Sequence, residues 1–170
     1  MNLLTTDGRM SDKYKILKKR FYKLEKHYGA FKEYKVLIDE LLLKEDILTV
    51  EKFNFIAPKD RAIFDAYIKR FASIQDFLGA KIFPSLIEIS GIGSVKMTEV
   101  LYHMEREEVI DSIGNWIELR EIRNELEHDY PDELQEALDD LKFCINSFSL
   151  LESYCLNAKK FAQKVSDEIV

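Results

Sequence analysis

Punctuation is scarce in this chain, and that constrains its fold more than any other feature. Its 170 residues hold only six glycines and three prolines. A sheet protein needs turn residues at nearly every strand end, whereas long helices need few. Between the breaks, apolar residues recur every three or four positions, the period of one helical face. Leu17, Phe21, Leu24 and Tyr28 form such a stripe, and Leu37, Ile38, Leu41 and Leu42 continue it. The expected fold is all-α, an antiparallel helical bundle, and a chain of this length buries a substantial core in one domain.

The breaks delimit the helices. Ser11 to about Asp46 is expected to be helical, either unbroken or hinged at Gly29. Residues 45–57 form a connection with room for one short helical turn. Pro58 suits a helix start, and Phe64, Tyr67, Phe71, Ile74 and Leu78 mark the apolar face that follows. Ile82, Phe83, Leu86 and Ile87 extend it past Pro84, where a kink or a fresh turn is expected. Gly91-Ile92-Gly93-Ser94 is a poor phosphate loop, because no strand precedes it and no Gly-Lys-Ser follows. It reads as a linker, with Ser94 capping a helix over residues 95–108. Asn115 and Glu118 occupy the positions of a capping box and would launch a helix from Trp116 to about His128. Pro131 disfavours helical geometry at Tyr130 and can open a last helix running to about Ser166. The stripe of that helix, Leu134, Leu141, Phe148, Cys155 and Ala162, repeats every seven residues and predicts bundle packing or a partner helix. Residues 1–10 are expected to be a short flexible tail, and 11–170 one helical domain.

Charge narrows the function. The formal net charge is −6 and the pI about 5.2, whereas proteins that grip nucleic acid nonspecifically are usually basic. Any nucleic-acid contact must therefore be local. The lysines and arginine between Lys13 and Lys26 read first as a solvated helix face and second as a nucleic-acid patch. No apolar run reaches membrane-spanning length, and residues 1–10 lack the apolar core of a secretory signal. A cytoplasmic protein without membrane contact is expected. Cys144 and Cys155 stand eleven residues apart in what reads as one helix. That spacing separates them by about 16 Å, too far for a disulfide, so they are expected to be free thiols in a reducing cytosol. No CxxC, HExxH or histidine cluster suggests a metal, and His27 and His103 read as ordinary surface or boundary histidines.

One octapeptide concentrates chemistry. Arg123-Asn124-Glu125-Leu126-Glu127-His128-Asp129-Tyr130 sets an arginine, an amide, an imidazole and a phenol at the end of an expected helix. Arginine holds phosphate by a two-pronged contact, and imidazole moves protons near neutral pH. In the last helical turn the dipole favours the imidazolium form of His128. Leu119, Ile122 and Leu126 form the expected buried stripe, with Arg123 about 60° to one side. Asn124 and His128, four residues apart, share a face. Arg123 and His128 lie about 140° apart on an ideal wheel, so a site using both needs help, such as a second copy of the helix across a two-fold axis. Spacing alone fits a second account equally well, in which Arg123 and His128 make surface ion pairs with Glu121 or Glu127.

The run Leu119–Pro131 resembles the signature of the HEPN superfamily, and in particular of HepT-like toxins, whose motif is Arg, four residues, His, one residue, Tyr. Arg123, His128 and Tyr130 fill it, and Asn124 follows the arginine as is common in that group. Tyr67 to Phe83, with Arg70-Phe71 and Gln75-Asp76, is similar to members encoded beside a nucleotidyltransferase. The resemblance spans about residues 60–161. It implies a four-helix HEPN-like core with an extra N-terminal helix, a homodimer, and a cleft at the dimer interface. It implies a metal-independent endoribonuclease toxin of a toxin–antitoxin module, with no cofactor and with RNA as substrate. Arg123 and His128 would be catalytic and Asn124 would orient the site. Tyr130 would be the residue that a cognate minimal nucleotidyltransferase antitoxin modifies with AMP. Arg70 and Asp76 would support the site from behind or at the dimer contact. The alternative is a non-catalytic subunit that presents substrate or nucleotide to such a nucleotidyltransferase.

Overall fold

The computed structural model describes residues 11–129 and 133–165. The expectations for residues 1–10, for Tyr130 and Pro131, and for the chain beyond Val165 lie outside them. The described residues form α1 (Asp12–Lys44), α2 (Val50–Phe53), α3 (Pro58–Phe77), a π-helical turn (Leu78–Ile82), α4 (Phe83–Ile89), α5 (Met97–Arg106), α6 (Ile113–Asp129), α7 (Leu134–Asn146) and α8 (Phe148–Val165). No strand occurs among them, and the fold is the expected all-α bundle.

α1 runs antiparallel to both α3 and α8, as the contacts along it require. Along α1 and α3, Phe31 stacks on Tyr67 while Arg20, one end away, donates to the Lys81 carbonyl at 3.1 Å. Along α1 and α8, Lys159 pairs with Glu25 and Glu152 accepts from Tyr28, while Phe148 stacks on Phe31. Phe31 is fully buried between Tyr67 and Phe148, with ring centroids 4.9 and 4.8 Å away. Each such aromatic pair adds about 1 kcal/mol beyond its buried area. The N-terminal helix thus forms one wall of the core, contributing Tyr14, Leu17, Phe31 and Ile38 to it.

Four local expectations are settled by packing. α1 is unbroken through Gly29, where an added Cβ would meet nothing within 4 Å. A glycine costs a helix about 1 kcal/mol relative to alanine, too little to break 33 residues packed along a core. Pro84 neither stops nor splits its helix, because the π turn precedes it. The Phe83 N–H bonds back to the Leu78 carbonyl, which widens the turn where the proline ring would otherwise press on a carbonyl four residues earlier. Ser94 caps nothing: α5 starts at Met97, with no side-chain cap. The last helix is two helices, broken at Ser147 where ψ is 6°. The break lets α7 pack against α3 and α6, and α8 against α1 and α4. Cys144 and Cys155 therefore sit on different helices, both buried and free.

Candidate functional site

α6 carries the octapeptide, and its N-terminus is fixed by side chains. Ser112, rather than Asn115, is the cap: its Oγ accepts from the Asn115 N–H at 3.0 Å. The Asp111 carboxylate beside it accepts from Asn115 Nδ2 at 2.6 Å, from the Ser112 N–H at 2.8 Å and from the Tyr154 hydroxyl. Burial alone would raise the pKa of Asp111, but the bonds from Tyr154, Asn115 and Ser112 outweigh it and lower the pKa below its ordinary value. The chain enters this cap from a Schellman turn closing α5. The Val109 N–H reaches the Met104 carbonyl at 2.8 Å and the Glu108 N–H reaches that of Glu105 at 3.0 Å. Glu108 takes the left-handed position, φ 58°, usually filled by glycine.

The buried stripe of α6 is Trp116, Leu119, Arg123 and Leu126, spaced three, four and three residues. Arg123 therefore lies within the stripe, and Ile122 is only half-buried. The ideal wheel set Arg123 to one side because it had no knowledge of which neighbours α6 packs between. The Arg123 side chain is 6% exposed. Its Nη2 donates to Asp76 Oδ1 at 2.7 Å and its Nη1 lies 3.4 Å from Oδ2, a two-pronged contact from α6 to α3. Glu127 Oε2 stands 3.7 Å from Nη1. The Arg123 Nε has no hydrogen-bond partner despite being buried. An arginine is seldom buried without strong reason, since a desolvated cation needs its counter-charges in place.

The other expected site residues are distributed around this pair. Asp76 is joined to Arg123, and its carboxylate side chain remains 61% exposed. Asn124 is half-buried and His128 exposed, both turned away from the stripe that holds Arg123. A single copy of α6 thus does not bring Arg123 and His128 together. Arg70 serves a different joint. Its Nη1 donates to His27 Nδ1 at 3.0 Å, tying α3 to α1. Arginine has no acceptor, so Nδ1 must be unprotonated there. Burial, then the charges of Arg70 and Lys23, lower the His27 pKa. Tyr130 lies outside the described residues. Cys144 is close enough for Arg123 to affect its electrostatics, yet burial pushes its thiol up to about 12, which leaves it unreactive as a nucleophile.

Two cavities flank α6, and the two carboxylates around Arg123 open onto different ones. Glu127 lines an apolar hollow of about 360 Å³ formed with Phe64, Leu126 and Leu138. Asp76 lines a cleft of about 460 Å³ between α3, the π turn, α5 and α6. Trp116, Arg120, Glu121 and Asn124 line that cleft from α6, and Gln75 from α3. The close fit of Trp116 there depends on Gly79, where a Cβ would stand 3.1 Å from the indole. Arg120 looks like a solvated helix position in the sequence, and Glu121 enters there only as an ion-pair candidate for Arg123 or His128, whereas Arg123 pairs with Asp76 and Glu127. As lining of a cleft, their signal in the sequence is position alone, about one turn beyond Trp116. Among the described residues no group of His, Cys, Asp and Glu could hold a metal ion, and no helix is long and apolar enough to cross a membrane.

Compared with protein-family models, with curated proteins and with solved structures, the chain has no significant match.

Proposed function

We propose that the chain is a HEPN-type, metal-independent endoribonuclease, the toxin of a toxin–antitoxin module whose partner is a minimal nucleotidyltransferase. The reading rests on the Arg123, His128 and Tyr130 motif, and one structural observation supports it above others. Arg123 is buried on the inward stripe of α6 and gripped from two oxygens by Asp76, beside a cleft that admits a small ligand. A surface ion pair requires no such burial.

The chemistry follows from the side chains. The RNA 2′-hydroxyl attacks the neighbouring phosphorus, forming a 2′-O–P bond as the P–O5′ bond breaks. His128 passes the proton from the attacking hydroxyl toward the leaving 5′-oxygen. The arginine offsets charge growing on the phosphate oxygens, leaving a cyclic phosphate and a free 5′-hydroxyl. Because His128 is exposed while Arg123 faces inward onto Asp76, this reading requires both a second copy of α6 across a two-fold axis and release of Arg123 from Asp76 to complete the site. Modification of Tyr130 with AMP would add negative charge beside that site and silence it. Purified protein should cut RNA in EDTA, and His128→Ala should reduce cleavage at least a hundredfold. Undiminished cleavage by that variant would remove His128 from the mechanism.

One observation favours the second reading, a non-catalytic subunit serving a nucleotidyltransferase. Asp76 and Glu127 together occupy the terminal nitrogens of Arg123, so a phosphate must displace a carboxylate to reach them. That reading expects a stable complex with a cognate nucleotidyltransferase and no RNA cleavage at any protein concentration.

A further inference from the structure

The cleft beside the Arg123–Asp76 pair has a chemistry of its own. Gln75 lines it and is 1% exposed. Its Nε2 donates to the Trp116 carbonyl at 3.2 Å, while its Oε1 is buried with no hydrogen-bond partner. A buried acceptor left unpaired costs about 1–3 kcal/mol, and such a group calls for a physical explanation. Two carboxylates, Asp76 and Glu121, line the same cleft. The lining is therefore rich in acceptors and suits a ligand rich in N–H donors. It disfavours a bare phosphate, which would face both carboxylates.

The shape selects further. A volume of about 460 Å³ falls in the range of small-molecule sites. Trp116 closes one side, and Met97 and Ile117 offer partly exposed apolar surface at the mouth. Arg120, exposed on α6, supplies a planar guanidinium at the rim. Apolar walls, a planar cation and a set of acceptors are the means by which proteins hold an unstacked base, reading its hydrogen-bonding edge. Carboxylates read the exocyclic amino groups of bases in the same way.

We propose that this cleft receives one splayed-out nucleobase carrying an exocyclic amino group, with Gln75, Asp76 and Glu121 as its acceptors, and so sets base preference beside the cleavage centre. Asp76 belongs to both places: one carboxylate holds Arg123 and lines the base cleft. That RNA supplies the base rests on the proposed function; the cleft's own selectivity does not.

The chain has one tryptophan, and it lines this cleft, so Trp116 fluorescence reports occupancy directly. The full-length protein is titrated with adenosine, cytidine, guanosine and uridine monophosphates, and in parallel with short single-stranded RNAs of each base. At least one amino-bearing base should bind about tenfold more tightly than uridine, which lacks the amino group. Glu121→Gln, on the exposed rim, should weaken that base by about tenfold. Ala80→Leu, also exposed and lining the cleft, should block binding by filling space without altering charge. Equal binding of all four bases, or binding unchanged in both variants, overturns the inference. Base-selective binding by a protein that never cuts RNA would leave the cleft standing and remove the nuclease. Cleavage without base selectivity would do the reverse. Selectivity among free nucleotides but not among RNAs would assign the cleft to a nucleotide rather than a strand, and overturn its link to cleavage.

Discussion

Two polar joints tie α6 into the bundle, and they are built on opposite terms. At the N-terminus, Asp111 accepts from Tyr154, Asn115 and Ser112, and these bonds outweigh partial desolvation and lower its pKa. At mid-helix, Arg123 meets Asp76 with its Nε unpartnered, and Gln75 one residue away holds an unpartnered Oε1. At the first joint both oxygens of the carboxylate have protein donors. The second retains unmet hydrogen-bonding capacity next to an open cleft. Buried polar groups that stay unsatisfied lower stability, and they persist chiefly where another role compensates. The contrast separates a joint that only holds the fold from one with chemistry to spare.

The sharpest way to break that contrast is to strip each partner from the second joint. Asp76→Asn leaves a buried cation with only Glu127, at 3.7 Å, as counter-charge, and should cost about 3 kcal/mol in urea unfolding. Arg123→Met fills similar space and leaves a carboxylate that is 61% exposed and readily solvated. It should change stability by less than about 1 kcal/mol. Equal losses in the two variants would make the joint an ordinary symmetric ion pair. Tyr154→Phe at the first joint should cost about 1.5 kcal/mol, because it removes the hydrogen bond of a buried hydroxyl to a charged carboxylate. Base binding measured by Trp116 fluorescence should survive it. Loss of base binding there would mean that the two joints act as one.

The smallest effect is one of pH. The folded chain holds His27 with a lowered pKa, so on acidification the unfolded chain takes up a proton that the folded chain resists. This contribution to stability is complete above the unfolded value of about 6.5. It is lost as pH falls from there toward the folded pKa. Melting temperatures across that range should show the slope, His27→Gln should flatten it, and Asp76→Asn should leave it in place.

Much of the fold was legible because helices announce themselves by period. The stripe from Phe64 to Leu78, the start of α3 at Pro58 and the short turn before it all follow from spacing and from proline's fixed geometry. The break at Ser147 was not legible, since the seven-residue stripe continues through it and both halves remain buried. The π turn was hidden for a similar reason: Pro84 signals that something must yield, but not whether the helix bends, stops or widens. At the site, the residue types of the octapeptide were visible, and Asp76 was marked as a supporting residue. The direction of Arg123 was not, because a wheel drawn on one helix cannot tell how wide a sector its neighbours will cover.

By itself, the sequence determined an all-α chain, the approximate extent of its long helices and the presence of an arginine–histidine motif near the end of one of them. These depend on local period and on a few residues with fixed backbone preferences, which act over one or two turns. Only the tertiary structure decided that Arg123 faces inward onto Asp76, that Arg70 belongs to His27 instead, and that Gln75 and Trp116 share a cleft. Each of those pairings joins residues at least 40 positions apart. The packing of whole helices brings them together, and no local periodicity records which face meets which.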